Sequence, residues 1–270
     1  MQLPRGRMHY VDEGEGETLL MIHGTPTWSF EWRHIIDAFS NDYRCVAPDH
    51  LGFGYSERPA EIPYTPEAHA ENLSAFVEKL DLQDVTLVVH DFGGPIGLPL
   101  CLEKTSRIKR LVVLNSWMWS FAGDKQMQRQ GRLAGSGLGR FLYRRANFSL
   151  RVLMPYAYGD KRRLTPEIHR RYLDRFPDAW SRGAVLWPLA KSLLASGDFY
   201  DSLWSARARL GSLPAIIVWG LKDRAFPPAY LERWREALPN ARVKTLAEAG
   251  HWPHEEAPEA VIAAMREFLV

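Results

Sequence analysis

The stretch LVVHDFGG, residues 87–94, places a carboxylate at the corner between a buried strand and a helix. The apolar run ends at Val89, a turn of small residues follows, and the segment from Pro95 to Lys104 has a helical pattern. The G-x-S-x-G turn has the same strand–turn–helix arrangement, with a serine where this chain has Asp91. Such a turn raises its central side chain above the C-terminal edge of the sheet, where open α/β sheets bind ligands. We therefore predict that Asp91 faces a ligand site.

An aspartate at this corner predicts a different reaction from a serine. A carboxylate with a reference pKa near ~3.9 is already ionised at neutral pH, so it needs no base before it attacks carbon. The product of attack on saturated carbon is an alkyl ester of the protein, which water must then cleave. The alternative interpretation is that Asp91 only caps the helix that follows it.

Two further segments supply the partners that ester cleavage needs. AGHWP, residues 249–253, follows a strand and precedes the last helix, which puts His251 in a loop at the same sheet edge. VWGLKD, residues 218–223, ends another strand with Asp223 in its loop. The chain order is thus nucleophile, acid, histidine, as in proteins that carry this turn. We predict that His251 takes a proton from water and that Asp223 fixes its tautomer; the alternative is that Asp223 is a simple turn residue.

The loop HGTPTW, residues 23–28, follows a strand and should lie beside the nucleophile. In this arrangement one backbone N–H from that loop and one from the residue after the nucleophile form an oxyanion hole, here those of Thr25 and Phe92. His254 lies three residues after His251, which is a possible metal pair. The sequence has no HExxH motif and no second ligand cluster, so we predict no metal.

Short apolar runs alternate with amphipathic stretches, which predicts an α/β fold with a mostly parallel central sheet flanked by helices. The predicted strands are Met8–Val11, Leu19–Ile22, Arg44–Ala47, Val85–Val89, Leu111–Leu114, Ala215–Trp219 and Val243–Leu246. A helix capped by Thr65 and a last helix over Pro258–Val270 are also predicted. The stretch 118–208 contains no convincing strand, so we predict a helical cap there, inserted into a core formed by residues 1–117 and 209–270.

Composition restricts the partners and the cellular location that we expect for the protein. The chain has 270 residues, 46% of them hydrophobic, and a net charge of +2, which gives no reason to expect nucleic acid as a partner. No apolar run approaches the ~18 to 20 residues that span a bilayer, and the N-terminus lacks the apolar region of a signal peptide. We expect a cytoplasmic protein without a membrane partner, in which Cys45 and Cys101 are buried free thiols.

Taken together, these motifs resemble the haloalkane dehalogenase family over essentially the whole chain. The shared features are HGxPTWSF (residues 23–30), APDxxGFGxS (47–56), HDxGG (90–94), Asn115 at a strand end, Asp223, and Gly250-His251. The resemblance implies an α/β-hydrolase fold with a helical cap and no cofactor. It also implies a small apolar or halogenated organic substrate and a halide product. Two positions depart from the family: Phe92 replaces the usual tryptophan, whose indole N–H binds halide, and Thr25 replaces asparagine or glutamate.

The resemblance leaves the electrophile open. For halide release we expect the leaving-group pocket to be lined by Asn115, Trp28, Trp117 and Trp119. An epoxide or a strained β-lactone is the alternative substrate, for which hydroxyl groups of the predicted cap would act as acids; the candidates are Tyr143, Tyr156, Tyr158 and Tyr172. An alternative of another class is a non-hydrolytic descendant that binds a ligand or acts as an oxygenase.

Overall fold

The computed structural model describes residues 1–103 and 105–270, so the predicted helix end at Lys104 lies outside the described residues. A short hairpin of β1 (Gln2–Leu3) and β2 (Gly6–Arg7) precedes a seven-stranded sheet. The strands of that sheet are β3 (Tyr10–Glu13), β4 (Thr18–Ile22), β5 (Arg44–Pro48), β6 (Val85–Asp91), β7 (Ile108–Ser116), β8 (Ala215–Gly220) and β9 (Arg242–Leu246). Their spatial order is β3-β5-β4-β6-β7-β8-β9, and only β3 runs antiparallel to its neighbour.

Each of the seven predicted strands corresponds to one strand of this sheet. The first begins at Tyr10 rather than Met8, and the hairpin before it was not predicted. Alternate residues of the central strands enter two separate cores: Leu87 and Val89 pack on one face of the sheet, and Val88 packs on the other. Because both faces are covered, β6 is buried along its whole length, and its apolar run Leu87–Val89 shows no alternation of apolar and polar residues.

Helices cover both faces of the sheet. The α-helices are α1 (Arg33–Phe39), α2 (Pro66–Lys79), α3 (Gly93–Glu103), α4 (Lys125–Gly135), α5 (Gly137–Ala146), α6 (Met154–Ala157), α7 (Pro166–Leu173), α8 (Ala179–Ser181), α9 (Trp187–Ala195), α10 (Gly197–Ser205), α11 (Pro228–Ala237), α12 (Pro253–Glu256) and α13 (Pro258–Leu269). Two predicted helices are confirmed by their starts: Thr65 caps α2 by accepting a hydrogen bond from the N–H of Ala68, and α13 begins at Pro258.

Residues 117–214, which we call the helical insertion, join β7 to β8 and contain helices but no strand. The predicted division into core and cap at residues 118 and 208 stays a prediction. Cys45 and Cys101 are buried free thiols, as expected. None of the helices in the described residues has the length and apolar content needed to cross a bilayer.

Candidate active site

Asp91 is the last residue of β6 and lies in a tight turn. Its φ of +49° is in the left-handed region that a non-glycine residue rarely adopts. The turn tolerates only small neighbours: a Cβ on Gly93 would lie 2.1 Å from the carbonyl oxygen of Ile22, and a Cβ on Gly24 would lie 2.2 Å from Asp91 Oδ1. The sequence therefore builds a strained corner that directs the carboxylate out of the sheet.

The two oxygens of the Asp91 carboxylate have different partners. The backbone N–H of Thr25 donates to Oδ1 at 2.8 Å, and His251 Nε2 lies 3.3 Å from Oδ2. Among residues 1–103 and 105–270, no hydrogen bond joins the Phe92 amide to this carboxylate, although Phe92 borders the same cavity. The structure thus brings one predicted oxyanion-hole amide, that of Thr25, into contact with the nucleophile position.

Asp223 orients the other side of the imidazole. Its Oδ2 lies 2.8 Å from His251 Nδ1, and its Oδ1 accepts hydrogen bonds from the backbone N–H groups of Ala225 (2.7 Å) and Phe226 (3.0 Å). A carboxylate oxygen can only accept, so Nδ1 carries a hydrogen and Nε2 faces Asp91. The three side chains predicted from separate loops therefore form one continuous chain of contacts.

The charge on His251 depends on both carboxylates. Burial alone would lower its pKa, but Asp223 and Asp91 outweigh burial and raise the pKa of His251 to about 10. The imidazole is therefore a cation at neutral pH while Asp91 is ionised. If Asp91 lost its charge, one of the two causes of the high pKa would disappear, and His251 would become able to accept a proton.

Asn115 does not line a leaving-group pocket, and that prediction is wrong. Its side chain is fully buried; Nδ2 donates to Asp223 Oδ2 at 2.7 Å, and Oδ1 accepts from the backbone N–H of Gly220 at 2.8 Å. With a φ of +30° at the end of β7, the residue turns toward β8 rather than toward the nucleophile. Asn115 therefore positions Asp223, which in turn orients His251.

The three predicted pocket tryptophans are also outside the cavity. Trp28 stacks on Phe30, Trp117 packs edge-on against Phe92, and Trp119 lies among the rings of α10 and α11. Each ring is at most 9% exposed. Large apolar rings gain more from burial in the core than from the rim of a cavity, which explains why the prediction failed for all three.

A cavity of about 330 Å³ opens above Asp91 and His251. Its walls are mainly apolar and come from the helical insertion and the core loops, which suits a small organic ligand. Among the described residues, Trp252, directly after His251, is the one tryptophan that lines the cavity, and its place in the AGHWP motif is the signal that could have identified it. A larger depression of about 500 Å³, lined by residues of α2, α3 and α10, contains none of Asp91, Asp223 and His251, which we call the triad.

Polar side chains are few in the cavity wall. Of the four tyrosines considered as acids, Tyr143 and Tyr156 line the cavity, whereas Tyr158 and Tyr172 do not. Tyr158 instead stacks on Trp252. Apart from the triad, the polar side chains that line the cavity are those of Thr25, Gln130, Tyr143, Ser149, Tyr156 and Arg224.

The loop that carries His251 is joined to the helical insertion. The backbone N–H of His251 donates to the carbonyl oxygen of Ala157 at 3.0 Å. The Glu256 carboxylate accepts from the N–H of Gly159 at 2.8 Å and from the N–H of Gly250 at 3.0 Å. These bonds fix one edge of the insertion to the loop that presents the imidazole.

The fold and the site define the class. A mostly parallel sheet with a nucleophile turn, an acid and a histidine at successive strand ends is an α/β-hydrolase arrangement, here with aspartate at the nucleophile position. Residues 17–258 match a family described as "alpha/beta hydrolase fold".

Comparison with known proteins narrows the class. The chain is 36% identical to haloalkane dehalogenase 2 of Mycobacterium tuberculosis over 97% of this chain and 91% of that protein. It is 31% identical to a cis-3-alkyl-4-alkyloxetan-2-one decarboxylase of Shewanella oneidensis, over 97% and 85% of the two chains. The crystal structure of haloalkane dehalogenase DatA from Agrobacterium tumefaciens superposes with a TM-score of 0.85 at 26% identity, covering 97% and 92%. The chain belongs to the haloalkane dehalogenase family.

Proposed function

We propose that the protein hydrolyses a carbon–halogen bond through a covalent ester on Asp91. The observation that carries this proposal is the placement of one carboxylate. Oδ1 of Asp91 accepts a hydrogen bond from the backbone N–H of Thr25, and Oδ2 faces His251 Nε2 at 3.3 Å. An apolar cavity lies above both oxygens. The haloalkane dehalogenases among the relatives support the choice of halide as leaving group.

In the first step a carboxylate oxygen of Asp91 bonds to the substrate carbon while the carbon–halogen bond breaks and halide leaves with the electron pair. The ester that forms is neutral, so the pKa of His251 falls from its raised value, the imidazolium releases its proton to solvent, and the neutral imidazole becomes a base. His251 then takes a proton from water, which attacks the ester carbonyl. The N–H groups of Thr25 and Phe92 stabilise the oxyanion, and Asp223 balances the new imidazolium. Collapse of the tetrahedral intermediate breaks the bond to the substrate oxygen, and the leaving alkoxide takes the proton from His251 to become the alcohol. The carboxylic acid left on Asp91 then passes its proton to His251, which restores the ionised carboxylate.

The leaving group needs a donor that Phe92 cannot supply. We assign this role to the hydroxyl of Tyr143, which lines the same cavity as Asp91 and is only 8% exposed. Burial, together with the negative charge of Asp91, raises the pKa of Tyr143, so the phenol keeps its hydrogen at any physiological pH. A Tyr143→Phe variant should therefore lose halide affinity while it keeps the triad.

We also propose that residues 118–208 act as a cap that closes this cavity over a core of residues 1–117 and 209–270. The substrate is a small apolar halogenated molecule, as the apolar wall favours. A cytoplasmic location is favoured by the two unpaired, buried thiols.

A β-lactone is the second candidate substrate. The observation in its favour is the 31% identity to the oxetan-2-one decarboxylase, together with a residue after the nucleophile that lacks a donor. A strained lactone carries its leaving group within the ring, so it needs no separate halide site. Release of carbon dioxide from a cis-dialkyl oxetan-2-one, without halide release from bromoalkanes, would favour this candidate.

The His251→Phe variant tests the shared first step. Incubated with 1-bromohexane, it should form the ester but not hydrolyse it, and intact-protein mass spectrometry should show one added hexyl group. Peptide mapping should place that mass on Asp91, and the Asp91→Asn variant should remain unmodified. Mass on a different residue would overturn the assignment. Wild-type release of chloride, bromide and fluoride, measured beside diol formation from an epoxide, then identifies the electrophile.

A further inference from the structure

A polar cluster formed by Glu31, His90 and His254 is buried behind the catalytic imidazole. Glu31 lies in the 3-10 turn Ser29–Trp32 before α1, His90 directly precedes Asp91 in β6, and His254 lies in α12. All three side chains are fully inaccessible to solvent, and their ligand-type atoms lie within 4.8 Å of one another. The sequence shows no such cluster, because these three residues lie far apart along the chain.

His90 connects this cluster to the catalytic loop. Its Nε2 lies 2.8 Å from the backbone carbonyl oxygen of His251. A carbonyl oxygen can only accept, so Nε2 must carry a hydrogen. The other ring nitrogen, Nδ1, faces Glu31 Oε1 at 3.3 Å, and neither atom has a well-aligned hydrogen bond among the described residues.

With the hydrogen of His90 on Nε2, no hydrogen lies between His90 Nδ1 and Glu31. The contact between these two groups is therefore unfavourable unless a hydrogen or another positive charge lies between them. In a neutral His90 with its hydrogen on Nε2, Nδ1 is an acceptor, and an ionised Glu31 is an acceptor as well. Two acceptors at this distance in a dry interior repel each other. A proton between them removes the conflict, and burial supports this arrangement because it raises the pKa of Glu31.

His254, the third member, packs against His90 at a centroid distance of 4.7 Å but makes no hydrogen bond in this cluster. It stacks on Trp32 at a centroid distance of 4.6 Å, and neither of its ring nitrogens has a hydrogen-bond partner in the described residues. Its Nε2 lies 3.8 Å from Glu31 Oε1, and burial lowers its pKa, so it is neutral. Equal burial without a hydrogen bond makes His254 a matched control.

We propose that a proton shared by Glu31 and His90 fixes His90 as the donor to the His251 carbonyl, and that this pair positions the imidazole that hydrolyses the ester. The inference rests on the proposed function, because it assigns the pair to the second chemical step. Asp91 attacks carbon without help from His251, so the pair acts on ester hydrolysis and not on ester formation. Glu31 and His90 are thus positioning residues.

The test separates the two steps in variants at one position. With 1-bromohexane, Glu31→Leu should form the hexyl ester at a rate within about twofold of wild type, but hydrolyse it roughly tenfold to a hundredfold more slowly. The ester should therefore accumulate during turnover and be visible by intact-protein mass spectrometry. Glu31→Gln should hydrolyse the ester at close to the wild-type rate, because its amide can donate to His90 Nδ1. His254→Gln should show no accumulation.

Each outcome has a distinct meaning. Equal slowing of both steps in Glu31→Leu, or a Gln variant as slow as the Leu variant, would overturn the positioning role. About one equivalent of bound zinc in the purified protein, lost in both Glu31 variants, would show that a cation takes the place of the shared proton and would also overturn it. Ester accumulation in His251→Phe but not in Glu31→Leu refutes this inference alone. Absence of ester in both refutes the proposed function. Thermal unfolding of each variant verifies that it is folded.

Discussion

Replacement of Asp91 by asparagine should convert His251 from a cation into a neutral base. The amide keeps the shape of the side chain and removes its charge, as the alkyl ester does in the proposed reaction. At the 3.3 Å that separates Asp91 Oδ2 from His251 Nε2, a full charge is worth about 5 kcal/mol at an effective dielectric constant of about 20. That energy corresponds to a change of roughly several thousandfold in the proton affinity of the imidazole.

The assay is a pH titration followed by nitrogen NMR of protein labelled at its histidines, with the His251 signal assigned by its loss in His251→Phe. In the wild type the His251 signal should titrate near pH 10. In Asp91→Asn it should titrate at a markedly lower pH, since only Asp223 still favours the cation. Equal midpoints in the two proteins would refute the reasoning, as would a wild-type His251 that is already neutral at pH 7. Either result would mean that ester formation does not switch the base on.

The same raised pKa predicts how stability varies with pH. The pKa of His251 is about 10 in the folded protein and near ~6.5 in an unfolded chain. Its contribution to the free energy of unfolding is therefore fully present at pH values below the unfolded pKa. This contribution is then lost as the pH rises through the pKa of the folded protein. Urea denaturation at pH 6, 8 and 10 should show wild-type stability falling over this window, and falling less in His251→Phe. Parallel pH profiles for the two proteins would contradict the prediction.

Two further substitutions test the surroundings of the triad. Gly24→Ala places a methyl group 2.2 Å from Asp91 Oδ1, so we expect a loss of roughly a hundredfold or more in kcat, whereas Gly137→Ala, which meets nothing within 4 Å, should leave kcat unchanged. Asn115→Leu removes a 2.7 Å hydrogen bond to the charged Asp223 and should lower the free energy of unfolding by about 1.5 to 3 kcal/mol in urea titrations. A change below about 0.5 kcal/mol would show that this bond does not hold the acid.

The sheet and the contacts of the triad could be predicted because they follow from where strands end. Parallel strands deliver their carboxyl ends to one edge, so the loops of Asp91, Asp223 and His251 had to meet there. The inner strands of the main sheet are also short, largely apolar, buried and bounded by turns, which made them recognisable, whereas the edge strands β3 and β9 are partly exposed.

The pocket could not be predicted in the same way. Asn115 and Trp117 stand close to a strand end in sequence, but the direction of each side chain depends on how the chain leaves the sheet. The positive φ of Asn115 turns its side chain toward Asp223, and the ring of Trp117 is buried in the core. The pairing of Glu31 with His90 joins residues 59 positions apart and has no local signature, since neither residue lies in a spacing that predicts contact.

The bonds between the His251 loop and residues 157–159 have a consequence for how substrate reaches the site. If the helical insertion moved away from the core at this edge, it would pull His251 away from the ester. We therefore expect this edge to stay in place during turnover. Substrate and product would then enter and leave elsewhere along the cavity, where Leu133 and Leu153 line the wall and are exposed to solvent. Substitutions there should alter which molecules are admitted without disturbing the geometry of the chemistry.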